Sequence, residues 1–351
     1  MATEMSAATS GGGEAPPVFG RLSLGKVDLR IVLLVVLTVF LSLAGAYRWL
    51  GTTPDFVRYN MSYSNLPYDH PAFYTRFEPG YVWTAWFFKY ILNTNIQFYF
   101  FVLIAASLAV KFTLIWKWTS YPFLACFLYM ITLYLNFEYT QIRAAIGLDI
   151  GFIGVYFALQ RKYFIASVFL CTAAFFHYST IVLTVSVIAF FLAWERPKVA
   201  GLVIASIVIV ISLSQVSELF GNYFRDFALY NPMVARNLLA VAADVHAKVD
   251  LFSAFNTLYY LGVLSCGIFL TPWKEKTASL LFFFSVLGVV VMFAFRQFPE
   301  IAGRLQGVFL LATFVLPLRA SLRGVRVIPA VILNMHFVGW LVVSFLGVQI
   351  P

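Results

Sequence analysis

Tyr74-Thr75-Arg76-Phe77-Glu78-Pro79-Gly80-Tyr81 closes a polar stretch of about thirty residues and opens an apolar, aromatic-rich segment that runs to Leu92. Whether that segment crosses a membrane decides the fold, because it sets the side on which every later connection falls. From Pro79 to Leu92 it offers roughly 21 Å of helix at 1.5 Å per residue, against a hydrocarbon core of roughly 30 Å. The basic residues arbitrate. If the segment does not cross, Lys117, Arg161, Lys162, Arg196, Lys198, Lys274, Lys276, Arg319, Arg323 and Arg326 share the side of Arg21, Lys26 and Arg30. A side so rich in Lys and Arg is the cytoplasm. If it does cross, those clusters land opposite the basic N-terminal region. The expectation is therefore a short re-entrant or interfacial helix.

Working outward, the 351 residues are 62% hydrophobic and 11% charged, with mean hydropathy +0.86. That composition belongs to an integral membrane protein. The apolar runs are continuous rather than alternating, which selects helices over a β-barrel. The expected fold is all-α, a polytopic membrane bundle of about eleven transmembrane helices plus the short one. The spans fall near 30–50, 96–116, 120–137, 141–159, 163–176, 178–194, 199–214, 252–271, 278–295, 303–318 and 327–348. Residues 1–20, rich in Ser, Gly, Ala and Pro, read as a disordered cytoplasmic tail, and 21–351 as a single transmembrane helical domain. Its two sizeable outer loops are about 48–95 and 215–251. The first apolar run reads as an uncleaved signal-anchor with a cytoplasmic N-terminus.

The net charge of +9 implies topology here, and no nucleic acid partner. Lys111, Lys117, Trp116 and Trp118 read as an interfacial anchor at the end of one span. Cys126, Cys171 and Cys266 lie in apolar runs without partner spacing and read as packing residues. The four His are scattered, so neither metal nor cofactor is expected.

Asp55, Arg58, Arg76, Glu78, Glu138, Gln141, Arg143, His177, Arg225, Arg236, Arg296, Glu300 and Arg304 all fall at the outer ends of helices or in the outer loops. Both signs of charge on one side indicate a wet cavity open to that side. Arg143 fits a diphosphate through its planar fork; it equally fits a snorkelling anchor or a partner of Glu138. Glu300 and Arg304, at i and i+4, share a helix face and are open to pairing with each other or to holding a phosphate. Gly303 and Gly307 allow close approach beside them. His177 reads either as a satisfied interior histidine or as a donor to phosphate or sugar. Asp55 and Arg58 fit a loop ion pair as well as a site, and Glu78 before Pro79 fits a helix N-cap. Tyr59, Tyr63, Tyr68, Tyr74, Tyr81, Trp83 and Trp86 suit stacking on sugar rings or an interfacial belt.

The order Asp55-Phe56-Val57-Arg58-Tyr59, Phe77-Glu78-Pro79-Gly80-Tyr81, Gln141-Ile142-Arg143-Ala144-Ala145-Ile146, Phe176-His177-Tyr178-Ser179 and Ala302-Gly303-Arg304 resembles the EpsG family, similar in role to Wzy-type polymerases of O-antigen and exopolysaccharide. The resemblance implies metal-independent glycosyl transfer at the outer face of the bacterial inner membrane, with undecaprenyl-diphosphate-linked oligosaccharides as donor and acceptor. It also implies a chain-length regulator and a flippase as partners, besides membrane lipid. Glu78 first and Asp55 second are the expected bases. Arg143 and Arg304, with Arg58, Arg296, His177, Gln141, Glu300 and Tyr81, are expected to bind diphosphate and sugar. A ligase or single-sugar transferase with a polyprenyl-linked donor, and a lipid-linked sugar transporter, are the competing functions.

Overall fold

The computed structural model describes residues 23–24, 27–69, 77–193, 253–295, 299–319, 322 and 324–346. The expected tail, the expected span 199–214, the second outer loop and Arg296 lie outside these residues, as does the side chain of Glu300. Apart from a two-residue antiparallel pairing of Ser23–Leu24 with Val27–Asp28, the regular elements among the described residues are helices. The α-helices are α1 Leu29–Ala46, α2 Pro54–Ser64, α3 Pro79–Trp86, α4 Ile96–Trp118, α5 Pro122–Thr132, α6 Ile142–Leu159, α7 Tyr163–Phe176, α8 Ile181–Ala193, α9 Ala254–Phe269, α10 Lys276–Ala294, α11 Pro299–Arg319 and α12 Val327–Leu346. A π turn, Phe87–Ile91, prolongs α3. Ten of the eleven expected spans thus contain a helix each. Among the described residues, five helices are long and apolar enough to cross a membrane by length and composition: Leu29–Ala46, Ile96–Trp118, Ile142–Leu159, Lys276–Ala294 and Ile301–Arg319. Pro122–Thr132, Tyr163–Phe176, Tyr178–Leu192 and Ala254–Phe269 are shorter apolar helices, of 10–17 residues.

Two packing relations position the site. First, α1 and α4 are antiparallel neighbours: Gly45 lies against Ile104, and the Arg48 guanidinium stands 5.2 Å from the Phe100 ring. The segment between them therefore begins and ends at the same end of the bundle. Within it, Lys89 donates to the carbonyls of Ser64 at 2.8 Å and Leu66 at 3.0 Å. The Tyr63 hydroxyl donates to Thr94 O at 2.9 Å. These bonds lay α3 and its π turn alongside α2. The loop expected at 48–95 contains a real helix in α2, which Thr53 caps through the Phe56 N–H at 3.3 Å with Pro54 at the first position.

Second, Gly147, Gly151 and Gly154 form a small-residue stripe on α6 into which α7 docks antiparallel. A Cβ on Gly147 would meet His177 Cβ at 2.9 Å, and one on Gly154 would meet the Ala166 carbonyl at 3.0 Å. This close approach carries the C-terminal end of α7 to the N-terminal end of α6. At the other end of the bundle, Arg319 donates to Trp118 O at 2.8 Å and ion-pairs with Glu275.

Several expectations need correction. The helix expected at 120–137 stops at Thr132, and 133–140 coils on as turns. The N–H groups of Tyr134, Tyr139 and Gln141 each reach back five residues, to Tyr129, Tyr134 and Asn136. This widening turns Glu138 inward, so it does not face the outer end as expected. Lys111 is no interfacial anchor; at 1% exposed it lies in the core. Cys171 is exposed, whereas Cys126 and Cys266 are buried. Among the described residues no close approach occurs at Gly303, where an added Cβ would meet none of their atoms within 4 Å.

Candidate functional site

Glu78, Arg143 and His177 come from three different elements and meet. Glu78 occupies the N-cap of α3, as expected, but its side chain makes no capping bond. Instead one carboxylate oxygen pairs with the Arg143 guanidinium through Nη1. The other is 2.9 Å from His177 Nδ1. The alternative pairing of Arg143 with Glu138 does not form. Gly80 allows this assembly, because a Cβ there would stand 2.9 Å from the Phe175 carbonyl at the end of α7. Close packing of α3 on α7 thus sets the Glu78 carboxylate beside His177.

Arg143 is held on both sides. Its Nε donates to the Tyr59 hydroxyl at 3.3 Å, and its guanidinium carbon lies 4.3 Å from the Phe77 ring centroid and 5.4 Å from that of Tyr59. Stacking of this kind is specific to a planar cation. The Arg143 side chain is 19% exposed, against 7% for Glu78, so the pair is reached from the guanidinium side. Burial pushes the Glu78 pKa up, but the His177 hydrogen bond and the Arg143 charge outweigh it and hold the carboxyl below its usual value. The group is a carboxylate at neutral pH.

The remaining expected residues divide. Asp55 and Arg58 pair with each other at 3.6 Å across one turn of α2, with side chains 36% and 72% exposed. Tyr81 is 2% exposed, its ring packed by Tyr59, Phe77 and Tyr99, so the stacking face expected for it is covered by protein. Tyr59 and Tyr63 are likewise buried, while Tyr68 and Trp83 keep exposed rings. Gln141 donates to the Asn136 side chain at 3.2 Å. Arg304 is exposed on α11, and that helix packs against the turn Tyr178–Thr180 that follows His177. Among the described residues, no group of three or more His, Cys, Asp or Glu is placed to hold a metal ion.

Three polar residues escaped the sequence reading. Arg48, in the left-handed region at φ 56°, turns inward at the end of α1. There its Nη1 donates to the Tyr139 carbonyl, and its guanidinium lies 4.1 Å from the Phe56 ring centroid. Ser107 and Asp149 join Lys111 and Glu138 in a buried network. Lys111 Nζ is 2.7 Å from both Glu138 Oε1 and Asp149 Oδ1. The legible signal was one acid inside the apolar run of α6 and one base inside that of α4, since isolated charges in two spans require each other.

The Glu78 cluster is thus a buried carboxylate flanked by a stacked guanidinium and an imidazole, at the end of the bundle where α1 finishes and α6 begins. No curated protein and no solved structure matches the chain. The sequence profile of the EpsG family matches residues 31–350, nearly the whole chain. This multi-pass, all-helical membrane chain therefore belongs to the EpsG family, a family of Wzy-like polymerases.

Proposed function

We propose that this protein is a polysaccharide polymerase of the inner membrane. It transfers a growing glycan from undecaprenyl diphosphate to a lipid-linked repeat unit at the outer face. The observation that carries the reading is the Glu78 carboxylate bridged by Arg143 and His177. Glu78 accepts the proton of the acceptor hydroxyl as that oxygen bonds to the anomeric carbon of the donor. The bond from that carbon to the diphosphate oxygen breaks, and undecaprenyl diphosphate leaves with its charge stabilised by Arg143. His177 fixes the carboxylate through Oε1. Asp55 is the second candidate base, and Arg58, Arg304 and Gln141 are proposed to bind diphosphate and sugar, a role also proposed for Arg296 and Glu300, whose side chains lie outside the described residues.

Eleven crossings, with α3 and its π turn entering from the outer face and returning, complete the topology. The antiparallel contact of α1 with α4 supports an even number of crossings between them. The cytoplasmic side is assigned to the end holding Trp118, Glu275 and Arg319, on the positive-inside bias. A chain-length regulator and a flippase are its proposed partners.

The test is polymerisation by purified protein with a defined undecaprenyl-diphosphate repeat unit, with and without EDTA. A ladder of repeats that survives EDTA and disappears in Glu78→Gln is expected. A single addition would assign a ligase or single-sugar transferase instead, and transport of labelled lipid-linked sugar without a new glycosidic bond would assign a transporter.

A further inference from the structure

The buried network beneath the Glu78 site admits a complete proton count. Lys111 Nζ donates to Ser107 Oγ at 2.9 Å and ion-pairs at 2.7 Å with both Glu138 Oε1 and Asp149 Oδ1, while Asp149 Oδ1 takes no directed hydrogen bond from any described residue. The Tyr129 hydroxyl donates to the Glu138 carboxylate, 2.9 Å from each oxygen. Ser107 Oγ touches both carboxyl groups, Glu138 Oε1 at 3.0 Å and Asp149 Oδ2 more closely still. A hydroxyl has one hydrogen to give. It therefore donates to one carboxyl and must accept from the other, so one of the two acids carries a proton.

Charge gives the same count. Lys111, Glu138 and Asp149 are 1%, 0% and 2% exposed. No further charged side chain contacts them among the described residues, so one ammonium and one carboxylate leave the cluster neutral. Glu138 already accepts from Tyr129 and Lys111, which favours it as the anion and leaves the proton on Asp149 Oδ2, donated to Ser107.

We infer that Lys111, Glu138 and Asp149 form a neutral, singly protonated triad, with the proton on Asp149, that positions the start of α6 carrying Arg143. The placement argues for the role. Glu138 belongs to the widened turn 133–140 that leads into Gln141 and Arg143, and Asp149 sits two turns further along α6. Lys111 and Ser107 on α4 thus clamp the helix from two points, with Arg48 holding the Tyr139 carbonyl from α1. The positioning role rests on the function proposed above; the proton count does not.

Infrared spectroscopy of the purified protein in lipid, read at the C=O stretch of a protonated carboxyl, tests the count without any activity. One buried protonated carboxyl is expected in the unmodified protein and none in Asp149→Asn. None is expected in Glu138→Gln either, because Asp149 must then ionise to balance Lys111. Lys111→Met should show two. Absence of the band in the unmodified protein, or its persistence in Asp149→Asn, would overturn the assignment. For positioning, Asp149→Ala should lower kcat about 100-fold, the scale of a small displacement at a reacting centre. Asp149→Asn, which reproduces the neutral donor and acceptor, should restore most of that loss. An asparagine variant as inactive as the alanine variant would refute the neutral positioning role. An unmodified protein that binds lipid-linked glycan but polymerises none of it would instead refute the proposed function, leaving the infrared result standing.

Discussion

Glu78 leaves its own helix uncapped in order to meet Arg143 and His177, and the consequences are local and measurable. Replacing Glu78 by Gln keeps the shape but removes the proposed proton acceptor, and polymer formation should fall by about 10²–10⁴-fold, the usual worth of a general base. Arg143→Lys keeps the charge but loses the planar contact with Phe77 and one of two directed bonds. A loss of about 10–100-fold in kcat/KM follows from a charge-assisted bond worth about 1.5–3 kcal/mol. Arg143→Ala leaves a carboxylate buried with half its support and should destabilise the fold by about 3–5 kcal/mol, read as a lower melting temperature in detergent. Because the folded-state pKa of Glu78 is depressed, its contribution to stability is fully present above the ordinary glutamate pKa. It is lost as pH falls through the lower, folded value. Thermal melts across acid pH should show this loss in the unmodified protein and a flatter profile in Glu78→Gln.

At the scale of elements, the site depends on how closely three helices approach. Gly147 and Gly80 are close points beside the site, each with an added Cβ at 2.9 Å from its neighbour. Gly147→Ala should push the His177 end of α7 away, costing about 1–3 kcal/mol as overpacking does, with activity falling more than stability. Gly303→Ala, where no described residue stands within 4 Å, should gain rather than lose stability, by up to about 1 kcal/mol from helix propensity. Melting temperatures and polymer yields of the two variants, measured side by side, separate close packing from backbone entropy. The widened turn 133–140 explains the changed place of Glu138: just past a span ending at 137 it is expected at the outer end, whereas three bonds reaching back five residues rotate it into the core.

At the scale of the molecule, charge is sorted along the bundle. The Glu78 cluster and Arg48 sit at one end, and Arg319 with Glu275 at the other. The orientation predicts a labelling pattern. In a variant lacking Cys126, Cys171 and Cys266, single cysteines at Asn65 and Asn93 should both react with a membrane-impermeant thiol reagent applied from the outer face. One at Arg161 should not. Labelling of Asn65 and Asn93 from opposite sides would show that α3 crosses, and would move every later connection to the other side.

The sequence by itself determined the class of the molecule, the positions of the described helices and the shortness of the Pro79 segment, and it singled out Glu78, Arg143 and His177, which the structure brings into contact. Composition, run length and basic clusters act through the solvent, and each can be read one segment at a time. Only the tertiary structure decided which charges meet. Glu138 takes Lys111 rather than Arg143, Tyr81 is closed off by its aromatic neighbours, and Asp55 turns to Arg58. The physical reason is that a buried charge is worth holding only against a partner, and the partner is chosen by helix approach at Gly80 and Gly147 and by a widened turn, none of which is visible within a single apolar run.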